Sequence, residues 1–366
     1  MIPSLDKNMK RLKSRSVLHR TSFSWSKSAS DKRAQSKCRR KKTHTKSWSV
    51  IPKGSSSINE LDLTSKTALI DTFESFNTKY ILSDKVLGKG GFSTVMSGQN
   101  RSSGKWFAIK IVPKTMLLDD ERDNFFTEFK LLENISHSNI VVVKEWFDEI
   151  NNFYIVQEKL NGGDLQQRLE QVFQFPENET KRLINDISEA LNYLHELKIG
   201  HRDVKLENIL LQTDSSSVIA KLSDFGLAKK LSKVDDKGFT TMCGTISYAA
   251  PEVLQGTPYG LNVDCWSLGV VMYSLLVGYQ PFRSDDDDEL SLIRNISNDE
   301  PLSFNEKDWD GISTHAKDLI TSLLKKDVNE RLAISQVMKH SWFATNEVPQ
   351  SCRQDKHQVF FMIGSQ

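Results

Sequence analysis

A glycine-rich segment near residue 90 could bind phosphate groups. It lies between two β-rich runs, and its glycines have no Cβ, so backbone N–H groups can approach phosphate oxygens closely. A dinucleotide-binding fold would place a helix after such a loop, whereas residues 94–97 favour a strand. A simple hairpin turn is the alternative. The candidate phosphate-binding residues are Leu87, Gly88, Lys89, Gly90, Gly91, Phe92, Ser93, Thr94 and Val95.

A lysine in the following strand supports phosphate binding. Lys110 ends an otherwise apolar run over 107–110, and a lysine among apolar side chains loses hydration unless an anion lies beside it. Nucleotide phosphates or a carboxylate would supply that anion. Helical spacing over 119–135 predicts that Glu128 faces inward, where it could pair with Lys110. Two unrelated surface charges are the alternative.

Short polar motifs follow in the second half of the chain. They are H-R-D-V-K-L-E-N at 201–208, D-F-G at 224–226 and A-P-E at 250–252. Together with G-x-G at 88–90, A-I-K at 108–110 and Glu128, this set resembles the eukaryotic protein kinases over about residues 80–343. The resemblance implies an α+β, bilobal protein-kinase fold. The N-lobe would be β-rich with one helix, and the C-lobe would be mainly helical.

The resemblance implies chemical roles for the polar motif residues. Asp203 would accept the proton of a substrate hydroxyl, and Lys205 would neutralise the transferring γ-phosphate of ATP, as in serine/threonine kinases. Asn208 and Asp224 would provide hard oxygen ligands for Mg²⁺, and Lys110 would hold the α- and β-phosphates. A catalytically silent kinase-fold scaffold is the competing class. Such scaffolds usually lack the residue at the position of Lys110, Asp203 or Asp224, and all three are present here.

Other positions match the nucleotide and peptide sites of the family. Gln157 falls at the gatekeeper position, and backbone groups of the next residues would meet the adenine edge. Asp164 lies where an acid contacts the ribose and, in basophilic kinases, an arginine three residues before the phosphoacceptor; Glu207 lies where a second such acid sits. A preference for Arg or Lys at that position is therefore expected. The implied ATP contacts outside the glycine-rich segment are Ala108, Lys110, Glu128, Glu158, Leu160 and Asp164.

The resemblance also extends to structural, regulatory and group-specific positions. Thr245 would contact the catalytic Asp and Lys, and Arg202 would pair with phosphate added by an upstream kinase to the activation loop. Thr241 matches that phosphorylated position better than Thr240. An ion pair between Glu252 and Arg331 and a brace from Asp264 are expected in the C-lobe. G-G-D-L at 162–165 is similar to a motif of the calmodulin-kinase group. Within that group the chain resembles most the yeast-type checkpoint kinases, although it has no FHA domain. Whether it binds calmodulin stays open.

Composition divides the chain into a basic arm and an acidic body. Hydrophobic residues make up 38% of the 366 residues, which excludes a wholly disordered chain. No apolar run approaches the ~20 residues of a membrane span, and the four cysteines form no C-x-x-C pair, so a soluble, intracellular protein is expected. Residues 1–53 carry a net charge of +14 and the remainder −12.

These patterns predict three segments. They are a disordered basic arm over 1–75, a kinase domain over 76–343 (N-lobe about 76–160, C-lobe about 161–343) and a short tail over 344–366. R-R-K-K at 39–42 resembles a nuclear import signal, so a nuclear or cytoplasmic location is expected. The arm could instead fold back on the acidic body as an intramolecular control, or bind nucleic acid nonspecifically, which ranks last.

Overall fold

The computed structural model describes residues 75–91, 93–117, 135–213, 218–231, 238–284 and 288–344. These residues belong to one compact unit. The basic arm before Ser75, Phe92, the segment containing Glu128, and the tail after Ala344 lie outside the described residues.

A five-stranded antiparallel sheet forms the first part of this unit. The strands are β1 (Tyr80–Lys89), β2 (Thr94–Asn100), β3 (Trp106–Pro113), β4 (Val143–Asp148) and β5 (Asn152–Glu158). They run in the order β1-β2-β3-β5-β4. Just before β4, the Val141 backbone N–H bonds the Leu222 carbonyl of the second lobe at 2.9 Å.

The second part is mainly helical, with two small β-ribbons, so the bilobal α+β fold predicted from the motifs is confirmed. Strands β6 (Ile199–Gly200) and β9 (Lys229–Lys230) form one ribbon, and β7 (Ile209–Thr213) and β8 (Val218–Leu222) form the other. The helices, counting α1 (Phe76–Lys79) at the start of the first lobe, continue with α2 (Leu165–Val172), α3 (Glu177–Glu196), α4 (Pro251–Leu254), α5 (Asn262–Val277), α6 (Glu289–Ser297), α7 (Thr314–Leu323), α8 (Ile334–Val337) and α9 (Ser341–Ala344).

Two long helices form the core of the second lobe. Helix α3 begins after Pro176, has Glu177 and Glu179 in its first turn, where they complement the helix dipole, and buries one apolar stripe. Helix α5 is buried on all sides and ends at Gly278, whose φ of 84° closes the helix in the left-handed region. Among the described residues, no helix is long and apolar enough to cross a membrane.

An aromatic cluster fastens the N-terminal end of the described domain to the sheet. Phe76 is fully buried, and its ring stacks on Tyr154 with centroids 4.1 Å apart and lies 5.6 Å from Phe147. Glu149 accepts hydrogen bonds from the Phe76 backbone N–H and the Ser75 hydroxyl. The chain before β1 is therefore part of the N-lobe core.

We expect Phe76→Leu to lower the free energy of unfolding by roughly 1–1.5 kcal/mol, because aromatic pairs of this kind each contribute about 0.5–1.5 kcal/mol beyond area burial. Urea unfolding followed by tryptophan fluorescence measures the change. Phe173→Leu is the matched control, since the Phe173 side chain is 79% exposed. Equal unfolding midpoints for the two variants would show that the cluster does not stabilise the domain.

Candidate active site

A buried aspartate of helix α5 holds the loop that carries Asp203. Asp264 is fully buried, and its carboxylate accepts the backbone N–H groups of His201 at 2.9 Å and Arg202 at 2.8 Å. Burial favours the neutral acid, but these bonds and a 2.8 Å contact with His195 outweigh it and lower the pKa of Asp264. The predicted brace is confirmed, and it restrains Arg202 at a strained φ of 66°.

Asp203 is held by three polar side chains. Its Oδ1 accepts the Thr245 hydroxyl at 3.0 Å, and its Oδ2 lies 2.9 Å from the Lys205 Nζ and accepts the Asn208 Nδ2–H at 2.9 Å. Lys205 also donates to Thr245 at 2.8 Å. The predicted contact of Thr245 with both charged residues is therefore observed. A carboxylate fixed beside an ammonium group in this way can take a proton from a hydroxyl while the ammonium binds an anion.

Lys110 pairs with the carboxylate of Asp224, whereas the sequence predicted a pair with Glu128. Its Nζ lies 2.5 Å from Asp224 Oδ1. Burial alone would raise the pKa of Asp224, but the charge and hydrogen bond of Lys110 hold that pKa at about 2. The alternative that Lys110 is an unrelated surface charge is wrong, since its side chain is only 13% exposed. Glu128 lies outside the described residues, so its pairing stays a prediction.

The donor atoms near Asp224 fit a magnesium ion. The Asn208 amide nitrogen donates to Asp203, which leaves the Asn208 amide oxygen available as a ligand. The Asn208 carbonyl accepts the backbone N–H of Ser223, the residue before Asp224, at 2.8 Å. One carboxylate and one amide oxygen match Mg²⁺, which takes few protein ligands and completes its shell with phosphates and water. In the described parts of the chain, no group of three or more His, Cys, Asp or Glu side chains could hold a metal.

The glycine-rich segment joins β1 to β2 as a hairpin. Gly88 pairs with Val95 and Lys89 with Thr94, and the Gly90 N–H bonds the Ser93 carbonyl at 2.8 Å. A Cβ added at Gly88 would meet no protein atom within 4 Å, so packing within the described protein does not demand a glycine there. Another molecule therefore has room to approach the backbone at Gly88. Phe92 lies outside the described residues.

The two predicted substrate acids lie near each other. Asp164 caps helix α2 by accepting the Gln167 N–H at 2.8 Å, and burial raises its pKa. Desolvation by the surrounding protein raises the pKa of Glu207, and the negative charges of Asp203 and Asp164 raise it further. A cation bound beside these carboxylates would relieve that repulsion.

The activation-loop threonines are exposed, and Arg202 contacts a residue that also bonds Thr241. Thr240 and Thr241 are both exposed. The Arg202 guanidinium donates to the Leu227 carbonyl at 2.6 Å and the Tyr259 hydroxyl at 3.3 Å, and the Tyr259 hydroxyl donates to the Thr241 carbonyl at 2.5 Å. Arg202 and Thr241 thus share Tyr259 as a neighbour in this structure.

The sequence interpretation missed one ion pair at the segment that joins the lobes. Lys221 on β8 bonds both carboxylate oxygens of Glu158, at 2.8 and 3.1 Å, and Glu158 also accepts the Val142 N–H. Leu160 follows in the same connecting segment. Lys221 lies in an apolar strand just as Lys110 does, so the signal that singled out Lys110 could also have found Lys221.

Comparisons with known proteins agree with this geometry. Residues 81–343 match the protein kinase domain family. The chain is 38% identical over 260 residues to myosin light chain kinase A of Dictyostelium discoideum, covering 71% of this chain and 86% of that protein. It is 39% identical over 258 residues to the mouse serine/threonine-protein kinase DCLK3, but covers only 32% of that protein's length. It is 37% identical to the human serine/threonine-protein kinase DCLK3, and the match covers 73% of this chain and 40% of that protein. The chain therefore belongs to the protein kinase family, in its serine/threonine class.

Proposed function

We propose that the protein transfers the γ-phosphate of ATP to serine or threonine hydroxyls of proteins that carry Arg or Lys three residues upstream. The observation that carries this proposal is the contact of Asp203 with Lys205, Thr245 and Asn208. ATP with Mg²⁺ supplies the phosphoryl group, and catalysis then consists mostly of positioning and charge neutralisation.

Each side chain has a distinct task in this mechanism. An Asp203 carboxylate oxygen takes the proton of the substrate hydroxyl while the hydroxyl oxygen bonds to the γ-phosphorus; the bond from that phosphorus to the β–γ bridging oxygen breaks, and ADP leaves. Lys205 neutralises charge on the transferring group, and Thr245 keeps both side chains aligned. Lys110 binds the α- and β-phosphates, and Asn208 with Asp224 would hold Mg²⁺.

The upstream cation is proposed to bind between Asp164 and Glu207, because their carboxylates repel each other. We expect Glu207→Gln to lower the preference for an Arg-containing peptide over its Ala counterpart by about tenfold, which corresponds to roughly 1.4 kcal/mol. The ratio of kcat/KM for the two peptides measures this preference. Glu330→Gln, at an exposed position, is the control. An unchanged ratio in Glu207→Gln would remove Glu207 from substrate recognition.

We also propose that the protein belongs to the calmodulin-kinase group with a signalling, checkpoint-like role, supported by G-G-D-L at 162–165 and by its similarity to a protein named myosin light chain kinase. Phosphorylation of Thr241 by an upstream kinase would add a phosphate near Arg202. We propose as well that the kinase domain spans residues 76–343 and that the protein is located in the nucleus, the cytoplasm or both. A chain lacking residues 1–53 that still enters the nucleus would exclude the import role of the arm.

A further inference from the structure

Gln157 presents a polar side chain to the cleft between the lobes. It pairs with Ala108 on β3 and with Val143 on β4, so its side chain lies on the same face of the sheet as those two. Residues two apart on a strand share a face, so Lys110 is on this face as well. Because Lys110 reaches Asp224 of the second lobe, this face forms the wall of the cleft.

The Gln157 amide has no hydrogen-bond partner in the described structure. The residue is partly buried, and its directly paired neighbours, Ala108 and Val143, carry no polar side-chain atoms. The donor and the acceptor of this amide are therefore available to a molecule bound in the cleft. The next residue, Glu158, begins the connecting segment where the purine edge is expected, so the purine is the natural partner.

We propose that the Gln157 amide binds the substituent at purine carbon 6 and lets the protein accept GTP as well as ATP. An amide has both an acceptor oxygen and an NH₂ donor. The oxygen can accept an N–H of the adenine amino group, and after rotation of the amide the NH₂ group can donate to the guanine carbonyl oxygen. This inference rests on the proposed function, because it places the nucleotide in this cleft.

Two substitutions separate the donor and acceptor roles of the amide. Glutamate at position 157 offers only acceptor oxygens when ionised, so it can bond adenine but repels the guanine oxygen. Methionine has a similar length and offers neither role. The ratio of the GTP-analogue to ATP-analogue dissociation constants cancels any general effect of the new charge on phosphate binding.

The test is isothermal titration calorimetry on the full chain with Mg²⁺ and the non-hydrolysable analogues AMP-PNP and GMP-PNP. We expect Gln157→Met to weaken both nucleotides by roughly 3–10-fold, as the loss of one hydrogen bond does, and Gln157→Glu to raise the GMP-PNP/AMP-PNP ratio at least about tenfold. Gln171→Leu, which removes an exposed amide outside the cleft, should change neither constant.

The outcomes separate this inference from the proposed function. If the wild-type protein binds neither analogue, the proposed function fails. If the wild-type protein binds AMP-PNP but not GMP-PNP, if Gln157→Glu leaves the ratio unchanged, or if Gln157→Met binds both analogues as tightly as the wild type, base reading by Gln157 is overturned. Should the Met variant not fold, the ratio in the Glu variant decides the question alone.

Discussion

Asp203→Asn is expected to slow phosphate transfer by roughly 10²–10⁴-fold, the usual contribution of a general base. The Asn side chain has nearly the same shape and can still accept the Thr245 hydroxyl, which now bonds Asp203 at 3.0 Å. It cannot take the substrate proton, and it loses the charge that pairs with Lys205. Steady-state transfer from labelled ATP to a peptide measures the rate.

Nucleotide binding and a matched variant serve as controls for that result. The dissociation constant of AMP-PNP should be nearly unchanged, because Asp203 is assigned to the substrate hydroxyl and not to the phosphates. Asp318→Asn changes a carboxylate of α7 that contacts His340 outside the cleft, and its rate should equal that of the wild type. An Asp203→Asn variant that keeps more than a tenth of the wild-type rate would contradict the assigned role.

Arg331→Met is expected to lower the free energy of unfolding by about 3–5 kcal/mol, the usual result of removing one member of a buried ion pair. Arg331 is 3% exposed, and its guanidinium bonds both oxygens of Glu252, at 2.6 and 3.0 Å. It also donates to the carbonyls of Lys325 and Asn262. The Met variant would leave the Glu252 carboxylate buried without its cation. Chemical denaturation measures the change.

A double variant distinguishes this cause from general loss of packing. In Glu252→Gln/Arg331→Met no buried charge is left unpaired, so its destabilisation should be clearly less than the sum of the two single changes. Arg294→Met, at an exposed position on α6, should stay within about 0.5 kcal/mol of the wild type. An additive double variant would show that the charges do not act as a pair.

Local motifs predicted much of the site because their residues lie on short, closely spaced loops. Asp203, Lys205 and Asn208 fall within six residues, so their proximity follows from the chain itself. Glu252 and Arg331 lie far apart in the sequence, so their pairing could be predicted only from the family resemblance. The structure confirms this pair.

Tertiary contacts that the family resemblance did not supply were not predicted. The Lys110–Asp224 contact joins residues 114 positions apart on different lobes, and composition or spacing cannot say which carboxylate a strand lysine meets. The Glu158–Lys221 pair was missed for the same reason. The burial of Phe76 beneath Tyr154 likewise depends on how β5 lies across the sheet.

Transfer of labelled γ-phosphate to three peptides tests the proposed activity most directly. The peptides share an Arg three residues before the acceptor and differ only in that acceptor, which is Ser, Thr or Tyr. We predict that the wild-type protein, after treatment with an activating kinase, labels the Ser and Thr peptides but not the Tyr peptide, and that Asp203→Asn labels the Ser and Thr peptides roughly 10²–10⁴-fold more slowly. Label in the Tyr peptide, or no label in any peptide, would contradict a serine/threonine kinase that uses Asp203 as its base.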